Sequence, residues 1–442
     1  VYKILFLLFI PYLALAQKPG TQKDSVVCLN SPGYNYAVYV PASYKPTVPV
    51  GVILIFDPGA RGKLPVSLYQ KVADKYEVIL ACSNNSRNGP VDQSLTAGTA
   101  VLEDVIARFN VDRSFILTSG FSGGGRTAVQ MAITRSTIAG VITCGAALPS
   151  QAAITKAKQV PFAEVIGQLD MNYQESLLAS VYLRSIGNPS SLTFFYGGHQ
   201  WPPAEAYDEA LAWHRLRSKK INASKFFSEK MKNMKVQLDS GHVYEANRML
   251  MQLMPDFSES KHVFTIDSAI AAIQKDKRLK SETSDVGKIN QKEIAMQKEF
   301  LAHYTQHMAY AAPDSAYHAV YWKGFRRDCE KMLASGGYKK LAGLRLIDYG
   351  WRLCAEQHFV LLDYGQTRQA AMAARIWALI VPDRPAPCTQ AARAFALLKR
   401  KSEMMEYLRM AVERGLKDKQ AIIDDPAFKD YAILPEFQAI LK

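Results

Sequence analysis

From Tyr34 to Trp213, short β-branched, nearly all-apolar runs alternate with stretches whose apolar residues return every three or four positions. The runs Tyr36–Val40, Val50–Phe56, Val78–Cys82, Ser114–Ser119, Gly140–Cys144, Phe162–Ile166 and Leu192–Tyr196 predict strands. Leu68–Lys75, Leu95–Phe109, Arg126–Ile133, Glu175–Ile186 and Ala204–Arg217 between them predict helices. Strands that alternate with helices require crossover connections, hence a mainly parallel sheet. Val52–Phe56 and Phe115–Thr118 are almost continuously apolar, as strands covered on both faces must be. Past about Lys219 the strand signal stops and helical patterns follow one another, as in Phe226–Leu238, Val243–Met254, Ala391–Leu398 and Glu403–Glu413. Ala246, Ala394 and Ala411 supply small residues at packing seams, which predicts an array of helical hairpins without a strict repeat length. The Lys- and Ser-rich stretch Ala271–Gln297 reads as an exposed helix or a mobile connection. The pattern thus gives an α/β domain over 17–218 and an all-α domain over 219–442, with the boundary in the polar run 218–224.

The leading segment 1–16 differs from both. Lys3 precedes an apolar run, Ile4–Ala16, that ends in Ala14-Leu15-Ala16, a small-x-small cleavage pattern. It reads as a secretory signal peptide, with a buried first strand or an uncleaved anchor as the alternatives. Export to a periplasm or beyond is expected, with no stable membrane insertion after cleavage. In composition the 442 residues are 48% hydrophobic and 21% charged, which excludes disorder as an overall description. The net charge of +14 divides as +3 over 17–218 and +10 over 219–442, with Lys3 the remaining unit. Without a Cys/His zinc spacing or an RNA-binding signature, that excess is expected to be a solvated basic helical surface, and neither a metal nor a nucleic-acid partner is expected. The six cysteines would be free to pair after export, and the sequence chooses no pairing. Cys82 and Cys144 end apolar runs and are expected to be small buried residues.

Gly120-Phe121-Ser122-Gly123-Gly124 follows one predicted strand and precedes a predicted helix. A G-x-S-x-G turn in that setting lifts its serine above the sheet edge as a nucleophile; a Gly-rich anion cradle or a plain tight turn is the alternative. A serine needs a base. Of the two histidines in the α/β part, His214 lies on a predicted helix, facing the surface or packing beside Trp213, whereas His199 follows the last strand behind two glycines. His199 is therefore the candidate base. Between Ser122 and His199 the carboxylates are Glu164, inside a strand, Glu175, at a helix start, and Asp170, in the loop after a strand. Asp170 is the candidate third member, with capping of the next helix as its alternative role. The oxyanion that forms on acyl transfer needs donors. Gly123 N–H is one, and Gly59 or Ala60 N–H is the candidate for the other, since Pro58 has none. Trp201 and Tyr173, near the His and the Asp, line an acyl pocket or pack in the core. No cofactor is called for.

Residues 34–217 resemble an α/β-hydrolase of the esterase and polyhydroxybutyrate-depolymerase-like group, which includes feruloyl-esterase-like secreted enzymes. The resemblance rests on Phe109-Asn110-Val111-Asp112-Arg113, the turn around Ser122, the Gly167–Asp170 loop, Gly198-His199-Gln200-Trp201-Pro202 and the upstream Ser83–Gly89 stretch. It implies Ser122 as nucleophile, Asp170 as acid and His199 as base. Where many members have His-Gly, this chain has Asp57-Pro58, which leaves the oxyanion donor open. Around Gly241–Ala246, Ala391–Gly415 and Asp424–Phe437 the second half resembles tetratricopeptide-like repeats, which implies a peptide or protein partner, or packing on the neighbouring domain. The expectation is a serine hydrolase cleaving a small-molecule or polysaccharide-linked ester through an acyl-enzyme. A peptidase of the same fold and a non-catalytic interaction protein are the alternatives.

Overall fold

The computed structural model describes residues 17–149, 154–155, 159–310 and 316–442; the leading segment 1–16, read above as an export signal, lies outside the described residues. Eight strands form one sheet: β1 (Thr21–Cys28), β2 (Ser31–Val40), β3 (Val50–Phe56), β4 (Val78–Ser83), β5 (Val111–Phe121), β6 (Gly140–Cys144), β7 (Phe162–Gly167) and β8 (Ser190–Phe195). Their spatial order is β1-β2-β4-β3-β5-β6-β7-β8. β1 and β2 pair antiparallel, as do β2 and β4, and every pairing from β4 to β8 is parallel. Parallel register aligns the strand ends. Phe56 faces Gly120, Phe121 faces Cys144 and Gly167 faces Phe195, so the loops after β3, β5, β6, β7 and β8 leave from one rim.

Burial explains why these runs are strands. All of β3 is buried, with Ile53 and Ile55 in one core layer and Val52, Leu54 and Phe56 in the other. Helices 63–68, 70–76 and 204–217 cover the first face with Val66, Val72, Tyr207 and Leu211, and helices 91–108 and 123–134 cover the second with Val101, Val105, Ala128 and Met131. A mainly parallel sheet in this order, with a serine at the turn from β5 into a helix, is the α/β-hydrolase fold. β1 was not anticipated. Its residues are mostly exposed or half-buried at the sheet edge, so they carry no apolar alternation.

The chain divides into two compact units, Val1–Leu279 and Lys280–Lys442. Helices Ala223–Asp239, Val243–Phe257 and Val263–Gln274 fall in the first unit, beyond the change of rhythm at 218–224. The reason is packing: Phe226, Phe227, Leu250, Phe257 and Ile266 share the core cluster that holds Leu211 and Trp213. The second unit is all helical. Ala316–Ala334, Gly337–Asp363, Thr367–Ile380, Pro385–Leu397 and Lys401–Glu413 each pack on the next, with Ala391, Ala394 and Ala411 fully buried. The Lys- and Ser-rich stretch is helical, ending Val263–Gln274 and opening Lys277–Tyr310. All six cysteines are buried and free. Among the described residues no helix is long and apolar enough to cross a membrane.

Candidate functional site

Ser122 sits between the last residue of β5 and the first of helix Gly123–Thr134, at φ 51° and ψ −124°. A residue with a Cβ avoids that region unless its surroundings hold it there. Two bonds do so: Ser122 N–H donates to the Cys144 carbonyl at 2.9 Å, and Arg126 N–H donates to the Ser122 carbonyl at 3.2 Å. The turn also brings the helix start against β3. A Cβ on Gly124 would overlap the Phe56 carbonyl oxygen and lie 2.7 Å from its carbon, so only glycine fits.

His199, on the loop after β8, is 8% exposed. Its Nε2 lies 2.9 Å from Ser122 Oγ, and its Nδ1 lies 2.9 and 3.0 Å from the two carboxylate oxygens of Asp170. Asp170 is fully buried and accepts a further bond from Asn172 N–H at 2.8 Å. An ionised carboxylate only accepts, so Nδ1 carries the proton and the Nε2 lone pair faces the serine hydroxyl. Backbone bonds fix the loops to each other: Gln168 N–H donates to Phe195 O at 2.8 Å, and Leu169 N–H donates to Gly197 O at 2.9 Å. The Phe121 ring lies 4.6 Å from the imidazole and closes one side. The three side chains that the sequence singled out thus stand in one hydrogen-bonded line.

The loop after β3 departs from expectation. Gly59 N–H donates to Asp57 Oδ1 at 2.8 Å, and Ala60 N–H donates to the Asp57 carbonyl at 3.1 Å. Neither expected backbone donor is presented to an oxyanion; both are turned onto Asp57. That carboxylate is fully buried and also accepts from Arg61 N at 3.2 Å, Arg61 Nε at 2.9 Å, Arg61 Nη2 at 3.0 Å and Trp201 Nε1 at 2.9 Å. Burial alone would push its pKa up. The bonds from Arg61, Trp201 and the Gly59 and Arg61 amides outweigh this and hold it below the usual carboxylate range. Asp57 thereby ties the end of β3 to the loop that carries the base, a role the sequence showed only as a departure from His-Gly. Trp201 gives its indole N–H to that bond and is buried against Tyr69 and Phe121. Tyr173 opens helix Tyr173–Ser185, half-buried against Phe194. Gly123 is the first residue of its helix, where an N–H has no intrahelical acceptor.

Two other titratable groups lie nearby. Glu164 on β7 is buried and hydrogen-bonded to Ser176. Desolvation first, with Glu175 and Asp170 adding to it, pushes its pKa up to about 8. Glu175 pairs instead with Arg126 at 2.7 and 3.0 Å. His214 is buried beside Trp213, where its Nε2–H donates to the Val141 carbonyl at 3.1 Å. It packs within the core and takes no part in the site.

Neither a family model nor a curated protein matches the chain. Among solved structures it is similar to S-formylglutathione hydrolase from Staphylococcus aureus, at 16% identity over 47% of this chain and 100% of that one, with a TM-score of 0.37. It is also similar to a ferulic acid esterase, at 18% identity over 44% of this chain and 96% of that one, TM-score 0.36. A substrate-bound fluorophosphonate-binding serine hydrolase from Staphylococcus aureus matches at 15% identity over 46% of this chain and 100% of that one, TM-score 0.36.

Proposed function

We propose that this chain is an exported serine hydrolase that cleaves carboxylic esters through an acyl-enzyme. The observation that carries the reading is the hydrogen-bonded line from Ser122 through His199 to Asp170, with 2.9 Å at both imidazole nitrogens. In this mechanism Ser122 Oγ attacks the ester carbonyl while His199 Nε2 takes its proton. Asp170 stabilises the resulting imidazolium and keeps its Nδ1–H directed inward. Collapse of the tetrahedral intermediate returns the proton to the departing alcohol, so the leaving group goes as a neutral molecule. Water, deprotonated by the same imidazole, then attacks the acyl carbonyl and restores Ser122.

Esters are preferred to amides because of the family resemblance, since the triad chemistry serves both. The ester's alcohol is a small molecule or a sugar of a polysaccharide. Export is supported by the Ala14-Leu15-Ala16 pattern behind an apolar run. Hydrolysis of short-chain p-nitrophenyl esters by the purified protein tests the reading. Turnover that disappears in Ser122→Ala supports it. Turnover that survives in Ser122→Ala rejects the nucleophile, and faster cleavage of a peptide anilide than of the ester rejects the substrate class.

A further inference from the structure

The tetrahedral intermediate places negative charge on the former carbonyl oxygen, and two converging donors normally receive it. Gly123 N–H is one. The loop after β3 offers no second: Pro58 has no N–H, and those of Gly59, Ala60 and Arg61 all end on Asp57. Gly62 N–H donates to Asn84 Oδ1 at 3.1 Å. From Pro58 to Gly62, then, every backbone donor is absent or committed, and the commitment is built on a fully buried carboxylate.

A different group lies over Gly123. The loop after β4 is laid along the loop after β3, with Gly59 bridged to Arg87 and Asn88 N–H donating to the Pro58 carbonyl at 2.8 Å. This anchors the Asn88 backbone and directs its side chain at the residue after the nucleophile. A Cβ on Gly123 would overlap Asn88 Oδ1 and lie 2.9 Å from its Cγ and 3.5 Å from its Nδ2. Among the described residues no hydrogen bond engages this side-chain amide. Its oxygen and nitrogen exchange places by a half-turn about χ2, so the NH2 end can face the same point. We propose that the Asn88 side-chain amide is the second oxyanion donor, in place of a backbone N–H of the loop after β3. The inference rests on the serine-hydrolase reading of Ser122. Gly123 N–H and Asn88 Nδ2–H then close on the oxyanion from two sides, and Asp57 serves by keeping the loop beneath Asn88 fixed.

Removing one side-chain oxyanion donor typically lowers kcat by roughly 10²–10³-fold. Asn88→Ala should therefore lose roughly 10²-fold in kcat on a p-nitrophenyl ester with little change in KM. Inhibition by an aryl trifluoromethyl ketone, whose hemiketal carries the oxyanion, should weaken in parallel, while the KM for the ester, which reads ground-state binding, stays near its wild-type value. Because Asn88 is exposed, its truncation should leave the melting temperature unchanged, which separates a folding defect from a catalytic one. A fall in kcat of less than roughly tenfold, or ketone affinity unchanged while kcat falls, overturns the proposal. If wild-type turnover is not abolished in Ser122→Ala, the underlying reading fails instead, so the two failures are told apart in one series.

Discussion

Asp57→Asn is the most informative change outside the triad, because it keeps the shape of the side chain and removes only its charge and one acceptor. In its best orientation the new amide keeps its oxygen toward Gly59 N, Arg61 N and Arg61 Nε, the donors now on Oδ1. Its NH2 then faces Trp201 Nε1 and Arg61 Nη2, donor against donor. Trp201 is buried, so its stranded N–H costs about 1–3 kcal/mol. The Arg61 side chain is 55% exposed and can turn to water, so the lost ion pair adds no more than about 1 kcal/mol. The expected loss is about 1–4 kcal/mol. It is read as a lower urea midpoint for the sheet-containing unit at unchanged m-value. Arg61→Gln, by the same reasoning, should cost under about 1 kcal/mol. Since the folded carboxyl titrates below its usual range, the gap between wild type and Asp57→Asn is complete above about pH 4 and closes as the pH falls further. An Asp57→Asn protein within about 0.5 kcal/mol of wild type at pH 7 would refute the view that this carboxylate holds the loop of the base.

Three further outcomes follow from the same geometry. Burial pushes the His214 pKa down to about 4, so between about pH 6.5 and 4 the unfolded chain binds a proton that the native one does not. Stability should therefore decline by up to about 3 kcal/mol across that window, and His214→Asn should lose this slope in pH-dependent urea denaturation; equal slopes would contradict it. Gly124→Ala drives a methyl into the Phe56 carbonyl and should yield an inactive or unfolded protein, and near-normal activity would mean that the turn is not as tight as described. His199→Ala should lower ester turnover by at least roughly 10³-fold, because the base that takes the serine proton is gone; near wild-type turnover would count against His199 as the base.

The sequence made the buried strands legible and left the exposed ones obscure, for one physical reason. Val50–Phe56 and Gly140–Cys144 coincide with their predicted limits because strands covered on both faces must be apolar throughout. Thr21–Cys28 lies at the sheet edge, and Ser31–Asn35, the first half of β2, is half-buried or exposed, so neither carries an apolar signal. Ser122, Asp170 and His199 could be picked out because each stands just past an apolar strand, and parallel strands deliver their ends to one rim. The loop after β3 could not be read in this way. Which N–H groups face a ligand depends on where Asp57 points, and its partner Trp201 is far away in sequence. The boundary near Ser218 marks where strands end, but Phe226, Leu250 and Phe257 show that helices beyond it still complete the core of the sheet unit.

The central claim is that the hydroxyl of residue 122 is activated by the imidazole of residue 199. Treatment with a fluorophosphonate, followed by proteolysis and mass spectrometry, measures it most directly. The account predicts a single adduct on the peptide that carries Ser122, formed far more slowly in His199→Ala and absent from Ser122→Ala. An adduct on another residue, or a rate at Ser122 indifferent to the loss of His199, would contradict it.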